Sequence, residues 1–343
     1  MYKEKQFITP SVLKDLNISV VIPNYNGVHL FPETLAALYK ALEYTGKKYE
    51  IIIIDDHSTD GSADYLRKHY PEIILLENER NSGFSVTINK GIFAAGHELV
   101  LLLNSDVKLS EKYFIDQFKY FDLPDTFGVM GKIIGWEDEK IQDGAKYPVF
   151  EGFKLKTSMN YLPVEPQDDT YLLSLYLSGA NALIRRDKLL LLDGFNELYS
   201  PFYMEDVDLS ARAWRSGHTC YFEPLSVCRH KTSESIRTKE KKKHIRSIYN
   251  RNKLYFHAIH LSGFGFTGWA IQTLFELIFR LVTLRGDYLK SFMELLKNWE
   301  AVKRSSEDFE QVCKNTGRKL SLRSVKKIFQ RSLNGKEIKF FRG

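Results

Sequence analysis

Polar clusters follow four apolar runs in the first third of the chain. Pro23-Asn24-Tyr25-Asn26 follows "ISVVI", Asp55-Asp56 follows "YEIIII", Asn81-Ser82 lies just past "IILLEN", and Asn104-Ser105-Asp106 follows "LVLLL". Asn and Asp are favoured in turns whatever else they do, so any one of these breaks reads as a turn. Four at the same end of successive runs, two of them bearing carboxylates, read as a ligand site. A carboxylate such as Asp106 is a hard oxygen ligand suited to Mg2+ or Mn2+ bridging a diphosphate. Later, Glu205 and Asp206 open the helix-like stretch "EDVDLSARAWRSG". One carboxylate there can act as a general base, although acids at a helix start are favoured by the dipole alone.

The elements that position these residues follow from periodicity. "ISVVIP", "YEIIIIDD", "IILLEN", "LVLLLNSD" and "GVMGKIIG" read as strands, the apolar ones buried on both faces. Between them lie helical patterns: one from Pro32, "ADYLRKHY" capped by Asp60 or Ser62, "FSVTINKGIFAAG", and "EKYFIDQFKYF" capped by Ser110. Such alternation predicts βαβ units and a mostly parallel sheet covered on both faces, with ligands at the carboxyl ends of its strands. Residues 136–170 turn irregular and aromatic, as in loops or a small antiparallel excursion. Beyond His230 the chain becomes basic, with ten Lys/Arg against two Glu from Arg229 to Lys253, then apolar and helix-permissive.

Composition narrows the class. The 343 residues carry a net charge of +6, which suits an anionic substrate or membrane surface without requiring nucleic acid. Cys220, Cys228 and Cys313 show no CxxC or metal-ligand spacing, which points to a reducing compartment. No signal-peptide core is visible, and Glu276 and Arg280 interrupt the longest apolar stretch. The expected location is cytoplasmic, peripheral on the cytoplasmic face of the membrane. The first turn, "PNYNG", is neither GxGxxG nor GxxxxGK[ST], so a nucleotide bound there is held by side chains and metal.

"VVIPNYNG", "IIIIDDHSTDGS", "NSGFSVTINKG", "LLLNSD", "SGANALIRRD" and "MEDVDLSARAWRSG" resemble, in order and spacing, family-2 glycosyltransferases of the GT-A fold. The particular forms "LLNSD" and "GFNELYSPFYMEDVDL" are most similar to the bacterial branch that builds rhamnose-containing and other surface polysaccharides. The likeness covers about Ile18 to His230. It implies an α/β, Rossmann-like, mostly parallel sheet flanked by helices over residues 18–235, with a nucleotide-sugar half (about 18–135) and an acceptor half (about 136–235). An extension, 1–17, precedes it, and a basic, amphipathic helical region, 236–343, follows.

By the same resemblance, Pro23, Tyr25, Asp55, Asp56, Asn81, Gly83 and Asn104 bind the donor nucleotide and its ribose or diphosphate. Asp106 ligates the divalent metal, with His230 nearby. Gly179, Ala180 and Glu205 line the sugar and acceptor pocket, and Asp206 is the general base of an inverting transfer. The expected partners are a nucleotide-diphosphate sugar and a saccharide or lipid-linked saccharide acceptor. The usual DxD motif reads Asn104-Ser105-Asp106 here, one carboxylate short.

Other residues have plainer readings. Asp208 pairs with Arg212 at i,i+4, Val207, Ala211 and Trp214 form a core face, and His57 lies at the surface. The basic stretch from Lys239 to Lys253 reads as a solvated face, a patch for anionic lipid, or a site for an acceptor diphosphate. A nucleotide-sugar pyrophosphorylase would need a Gly-rich, basic first loop, which "PNYNG" lacks. A non-catalytic nucleotide-sugar-binding relative would be expected to have lost Asp106 or Asp206.

Overall fold

The computed structural model describes residues 16–164, 171–231, 239–282 and 286–341. Most of the expected 1–17 extension and part of the basic stretch, including Arg237, lie outside the described residues.

The first half alternates as its periodicity predicts: β1 (Ile18–Asn24), α1 (Phe31–Tyr44), β2 (Tyr49–Asp55), α2 (Ser62–His69), β3 (Ile74–Glu77), α3 (Phe84–Ala94) and β4 (Leu99–Leu103). Pro32 sits in the first turn of α1, where its missing N–H costs nothing. Phe31, Leu35, Leu38 and Leu42, three and four apart, turn one face of that helix into the core. All five residues of β4 are buried, each contributing about 1.5–3 kcal/mol by removal from water. Gly91 lets α3 lie directly on the sheet, since a Cβ there would stand 2.3 Å from Val21 Cγ1.

The second half is less regular. It comprises β5 (Val107–Leu109), β6 (Thr126–Gly135), β7 (Ile141–Asp143), β8 (Ala145–Lys146), β9 (Val149–Glu151), β10 (Lys154–Lys156), β11 (Asn160–Pro163), β12 (Leu172–Leu173), β13 (Asn181–Arg185), α4 (Arg186–Leu191), α5 (Glu205–Arg215) and β14 (Thr219–His230). Then come α6 (Lys239–His260), α7 (Gly263–Val282), α8 (Gly286–Lys297), α9 (Trp299–Thr316), α10 (Leu322–Ser332) and β15 (Ile338–Phe341).

The main sheet runs β12-β14-β6-β13-β4-β1-β2-β3, with β5 and β7 attached at its side. β3, β2, β1 and β4 are parallel, as is the β6–β14 pair, whereas β13 runs antiparallel between β4 and β6. The chain reverses its direction of travel across the sheet between β1 and β4, and a crevice opens beyond their carboxyl ends.

One element departs from expectation. The helix predicted after Ser110 is instead a series of turns and a 3-10 helix over Ile115–Asp122. Aromatic anchoring overrides the 3.6-residue period. Tyr113, Phe114, Tyr120 and Phe121 are all buried, and the hydroxyls of Tyr113 and Tyr120 donate to the carbonyls of Asn181 (2.6 Å) and Phe222 (3.2 Å).

The irregular, aromatic stretch contains short antiparallel pairs, β9–β10 and β8–β11. β15 joins the latter, from the far end of the chain, pairing along all of β11. The C-terminal helices also bond back into the first 235 residues. Leu320 N donates to Arg215 O at 2.8 Å, and α10 buries Leu322, Val325 and Phe329.

Candidate active site

The β1 and β2 ends are tied into one platform. Asp55 accepts from Asn24 Nδ2 and Ser58 N, both at 2.9 Å. Asp56 accepts from Asn78 Nδ2 (2.9 Å), Ser82 N (2.8 Å) and Gly83 N (3.0 Å), and so caps the start of α3 from outside the helix. Both carboxylates are therefore already engaged in holding loops. Gly83 has φ +83°, and a Cβ would stand 3.2 Å from the backbone of Pro201, so glycine alone fits there. Pro23 is half-buried, while Tyr25 and Asn81 are exposed at this platform's edge. His57 is also exposed, as expected.

A cleft of about 800 Å3 opens beside the β4 end, and Asn104, Ala180, Tyr176, Lys146 and His230 are among its walls. Asp106 reaches it through His230, whose Nε2 lies 3.4 Å from Asp106 Oδ2. Gln142 holds the other imidazole nitrogen at 3.0 Å. Burial opposes a charge on His230, but the hydrogen bond and negative charge of Asp106 outweigh it and raise the imidazole above its ordinary value. Asp106 Oδ1 is buried without a hydrogen-bond partner among the described residues. An orphaned carboxylate oxygen beside an imidazole fits a hard divalent cation. No set of three or more His, Cys, Asp or Glu suited to a metal occurs among the described residues, so donor phosphates and water must complete any coordination.

Glu205 and Asp206 begin α5. Burial, then the charge of Asp206, pushes Glu205 up to about 8. Burial also pushes Asp206 up to about 6, against a 2.7 Å hydrogen bond from Val207 N. Cleft residues reach Asp206 electrostatically: Asp143 raises it and Lys146 lowers it. A carboxylate held near the working pH is suited to moving a proton.

Strain and clamps position this pair. Tyr203 and Met204, just before α5, both take left-handed φ (74° and 76°) that non-glycine residues rarely adopt. Asn252 of α6 holds the loop, its Nδ2 lying 2.7, 3.0 and 2.8 Å from the carbonyls of Tyr199, Phe202 and Tyr203. Beneath, Asp208 accepts from Tyr199 Oη (3.0 Å) and Arg212 Nε (2.7 Å). Although burial works against its charge, the charge of Arg212 and hydrogen bonds from His260 and Arg212 bring Asp208 down to about 2. The i,i+4 pair and the buried Val207, Ala211 and Trp214 are as the spacing predicted.

Of the predicted site residues, Asn104, Ala180 and His230 line the cleft, and Asp106 adjoins it through His230. Pro23, Tyr25, Asp55, Asp56, Asn81 and Gly83 belong to the neighbouring platform and are not among the cleft's walls. Gly179 packs against the ring of Phe84. Sequence reasoning missed Gln142, Asp143, Lys146 and Tyr176. Lys146 is buried, ion-paired to Asp143 and 5.2 Å from the Tyr176 ring centroid. A lysine beside an aspartate three residues earlier, within an aromatic, irregular stretch, was the available signal.

The family described as Glycosyl transferase family 2 matches residues 19–190. An undecaprenyl-phosphate 4-deoxy-4-formamido-L-arabinose transferase of Salmonella paratyphi B is 36% identical over 95 residues, covering 26% of this chain and 29% of that protein. The match therefore spans less than a third of the curated relative's length. Among solved structures, the mannosyltransferase PcManGT from Pyrobaculum calidifontis, in complex with GDP-Man and Mn2+, aligns at a TM-score of 0.51 with 15% identity, covering 93% of this chain and 85% of that one. GalNAc-T7 with UDP, GalNAc and Mn2+ aligns at 0.52 with 17% identity, covering 72% and 48%. At these identities the likeness shows the fold.

Proposed function

Because the chain belongs to glycosyl transferase family 2 and has the GT-A fold, we propose that it transfers a sugar, with inversion, from a nucleotide-diphosphate donor to a saccharide acceptor carried on a lipid. The observation that carries this reading is that His230, paired with Asp106, lines one cleft whose walls Asp143 and Lys146 also act electrostatically on Asp206 at the start of α5. The donor base and ribose lie on the platform near Pro23 and Tyr25, which Asp55 and Asp56 keep in shape, and Asn104 borders the sugar. The relative's lipid-phosphate acceptor and the Mn2+ in both neighbours support the choice of acceptor and metal. Cell-surface polysaccharide synthesis is the proposed setting, on the cytoplasmic side. No helix among the described residues is long and apolar enough to cross a membrane.

In this mechanism Asp206, ionised above its raised pKa, accepts the proton of the acceptor hydroxyl as that oxygen attacks the anomeric carbon. The bond to the diphosphate breaks on the opposite face, so one displacement inverts the centre without a second catalytic carboxylate. Glu205, holding its proton at neutral pH, leaves Asp206 as the charged member of the pair. Asp106 and His230 would hold a divalent cation, which when bound supplies charge stabilisation to the departing diphosphate. Lys146 places a fixed positive charge in the same cleft.

The test is thermal stabilisation by a panel of nucleotide sugars with Mg2+ or Mn2+, on wild type and Asp106→Ala. A metal-dependent rise with one donor, absent in the variant, supports the reading by linkage. A wild type stabilised by none of them would count against it. A pyrophosphorylase would instead release a nucleoside triphosphate from the donor and pyrophosphate.

A further inference from the structure

α7 is built inside out. Its charged side chains, Glu276 and Arg280, line a cavity of about 290 Å3 shared with α6 and β10. On its opposite side Phe264, Ile271, Leu274, Phe275, Ile278 and Val282 stand in solvent, Phe275 at 69% exposure and Val282 at 77%. The steps of three, four and seven make one apolar stripe along a helix of 20 residues. Met293 and Leu296 of α8 are exposed as well. Scattered apolar side chains are ordinary on soluble surfaces, but a continuous stripe marks a docking face. Trp269, Thr273 and Leu277 pack the other side of α7 into the protein, so this helix can lie along a bilayer surface but not cross it.

The cavity behind the stripe is cationic. Among its described walls Lys154, Lys156 and Lys253 face Glu151 and Glu276, so one of the three ammonium groups stands without an acid of its own. Lys154 pairs with Glu276 at 2.7 Å and Lys156 with Glu151 at 2.8 Å. Lys253 has no carboxylate partner among the described residues; its Nζ lies 5.2 Å from the Tyr249 ring centroid. Burial, then the charges of Lys156 and Lys154, push Lys253 down to about 8. Three crowded ammonium groups with too few acids weaken the fold and suit a dianion. The segment that carries Lys154 and Lys156 continues to Ser158 and Asn160, which line the catalytic cleft. Anion cavity and cleft thus adjoin along one short segment, from β10 into β11.

We propose that this cavity receives the phosphate or diphosphate of a lipid-borne acceptor while the outer face of α7 and α8 rests in the surface of the bilayer that carries it. The inference rests on the reading of the chain as a glycosyltransferase with a lipid-linked acceptor. It supplies that acceptor's anion site and its approach. Charge complementarity selects the occupant, since an apolar stripe backed by an excess of positive charge matches a membrane bearing lipid phosphate. A second copy of this chain would bring a second set of the same cations.

Flotation with phosphatidylcholine vesicles, with and without a polyprenyl phosphate, tests this on the full chain. Wild type is expected to float with both and more with the phosphate-bearing vesicles. The double variant Leu274→Glu, Phe275→Glu, altered only on the exposed face, should stay in solution with both. Lys253→Met should lose only the extra binding to phosphate-bearing vesicles and should melt at a higher temperature than wild type, as removal of a crowded cation predicts. The proposal is overturned if wild type stays in solution with both vesicles, or if the double variant floats like wild type. It is also overturned if wild type is a dimer that the double variant dissociates, which would give the stripe to a second copy. Inorganic pyrophosphate alone separates the remaining source. Equal flotation with both vesicles, together with pyrophosphate stabilisation lost in Lys253→Met, would assign the cavity to a free anion and overturn the lipid assignment. Nucleotide-sugar stabilisation of the same proteins reports on the transferase reading separately. Its absence with flotation intact would sink that reading and the naming of the lipid phosphate as an acceptor, and leave the membrane contact and the anion site standing.

Discussion

Nε2 of His260 lies 2.8 Å from Oδ1 of Asp208, so a side chain of the C-terminal region completes the buried polar cluster two residues past Asp206. Arg215, which can only donate, lies 3.0 Å from Nδ1 of the same ring, so the hydrogen is on Nε2. Burial pushes this imidazole down to about 4 and keeps it neutral at working pH. Replacing His260 by Ala leaves an N–H of Arg215 buried without its partner and strips Asp208 Oδ1 of one of two hydrogen bonds, leaving it only that from Tyr199. The expected loss is about 2–4 kcal/mol, read as a lower urea midpoint with an unchanged m-value.

Asn252→Ala acts on the site through its loop. It releases the carbonyls of Tyr199, Phe202 and Tyr203 and with them the left-handed pair that sets the start of α5. Turnover should fall about ten- to hundredfold from misplacement of Asp206, while donor affinity, proposed to be set on the neighbouring platform, stays within about twofold. Steady-state kinetics beside donor titration separates the two; equal losses in both would show that the loop also forms the donor site.

Asp206→Asn should lower kcat by about 10²–10⁴ and leave donor stabilisation intact. Wild-type kcat should rise with pH through an apparent value near 6. Because Asp143 raises Asp206 and Lys146 lowers it, Asp143→Asn should move that acid limb to lower pH and Lys146→Met to higher pH. Limbs that shift together, or not at all, would remove Asp206 as the titrating base.

Stability should depend on pH with opposite signs at two places. The fold holds the Glu205 proton up to about 8, against an ordinary 4.5, so the native state binds more protons than the unfolded chain between those values. Stability from this group is lost as pH rises through that window. Glu205→Gln should therefore raise stability by about 1–3 kcal/mol at pH 8 and change it little at pH 4. His260 runs the other way. Its depressed value means that stability is lost as pH falls from about 6.5 to about 4. Thermal melts across that range, on wild type and Glu205→Gln, check both slopes.

The strand ends were legible because each element of the first half obeys a local rule. Apolar runs of four or five residues give β1 to β4, helical spacing gives α1 and α3, and i,i+4 spacing pairs Asp208 with Arg212. What stayed hidden depends on distance along the chain. Lys146 meets Tyr176 from beyond several short strands of weak periodicity, and Asn252 meets Tyr199 from a helix some fifty residues on. The 3-10 segment near Tyr120 was misread because hydroxyl anchoring and aromatic packing, not periodicity, decide its backbone. Glu276 and Arg280 were visible as breaks in an apolar stretch, but only the fold shows that they face inward.

β15 pairs with β11 from Asn160↔Phe341 to Pro163↔Ile338. Synthesis therefore leaves β11 without its outer neighbour until almost 180 further residues have been made. A pairing so distant in sequence forms late, because the entropy of closing the intervening chain precedes the reward. The parallel strands β1 to β4 are joined by short connections and have no such wait. The platform at the ends of β1 and β2 can thus order on the ribosome well before the cleft wall that Asn160 provides is complete, and a ribosome stalled within α9 or α10 would display a half-built chain with an open strand edge.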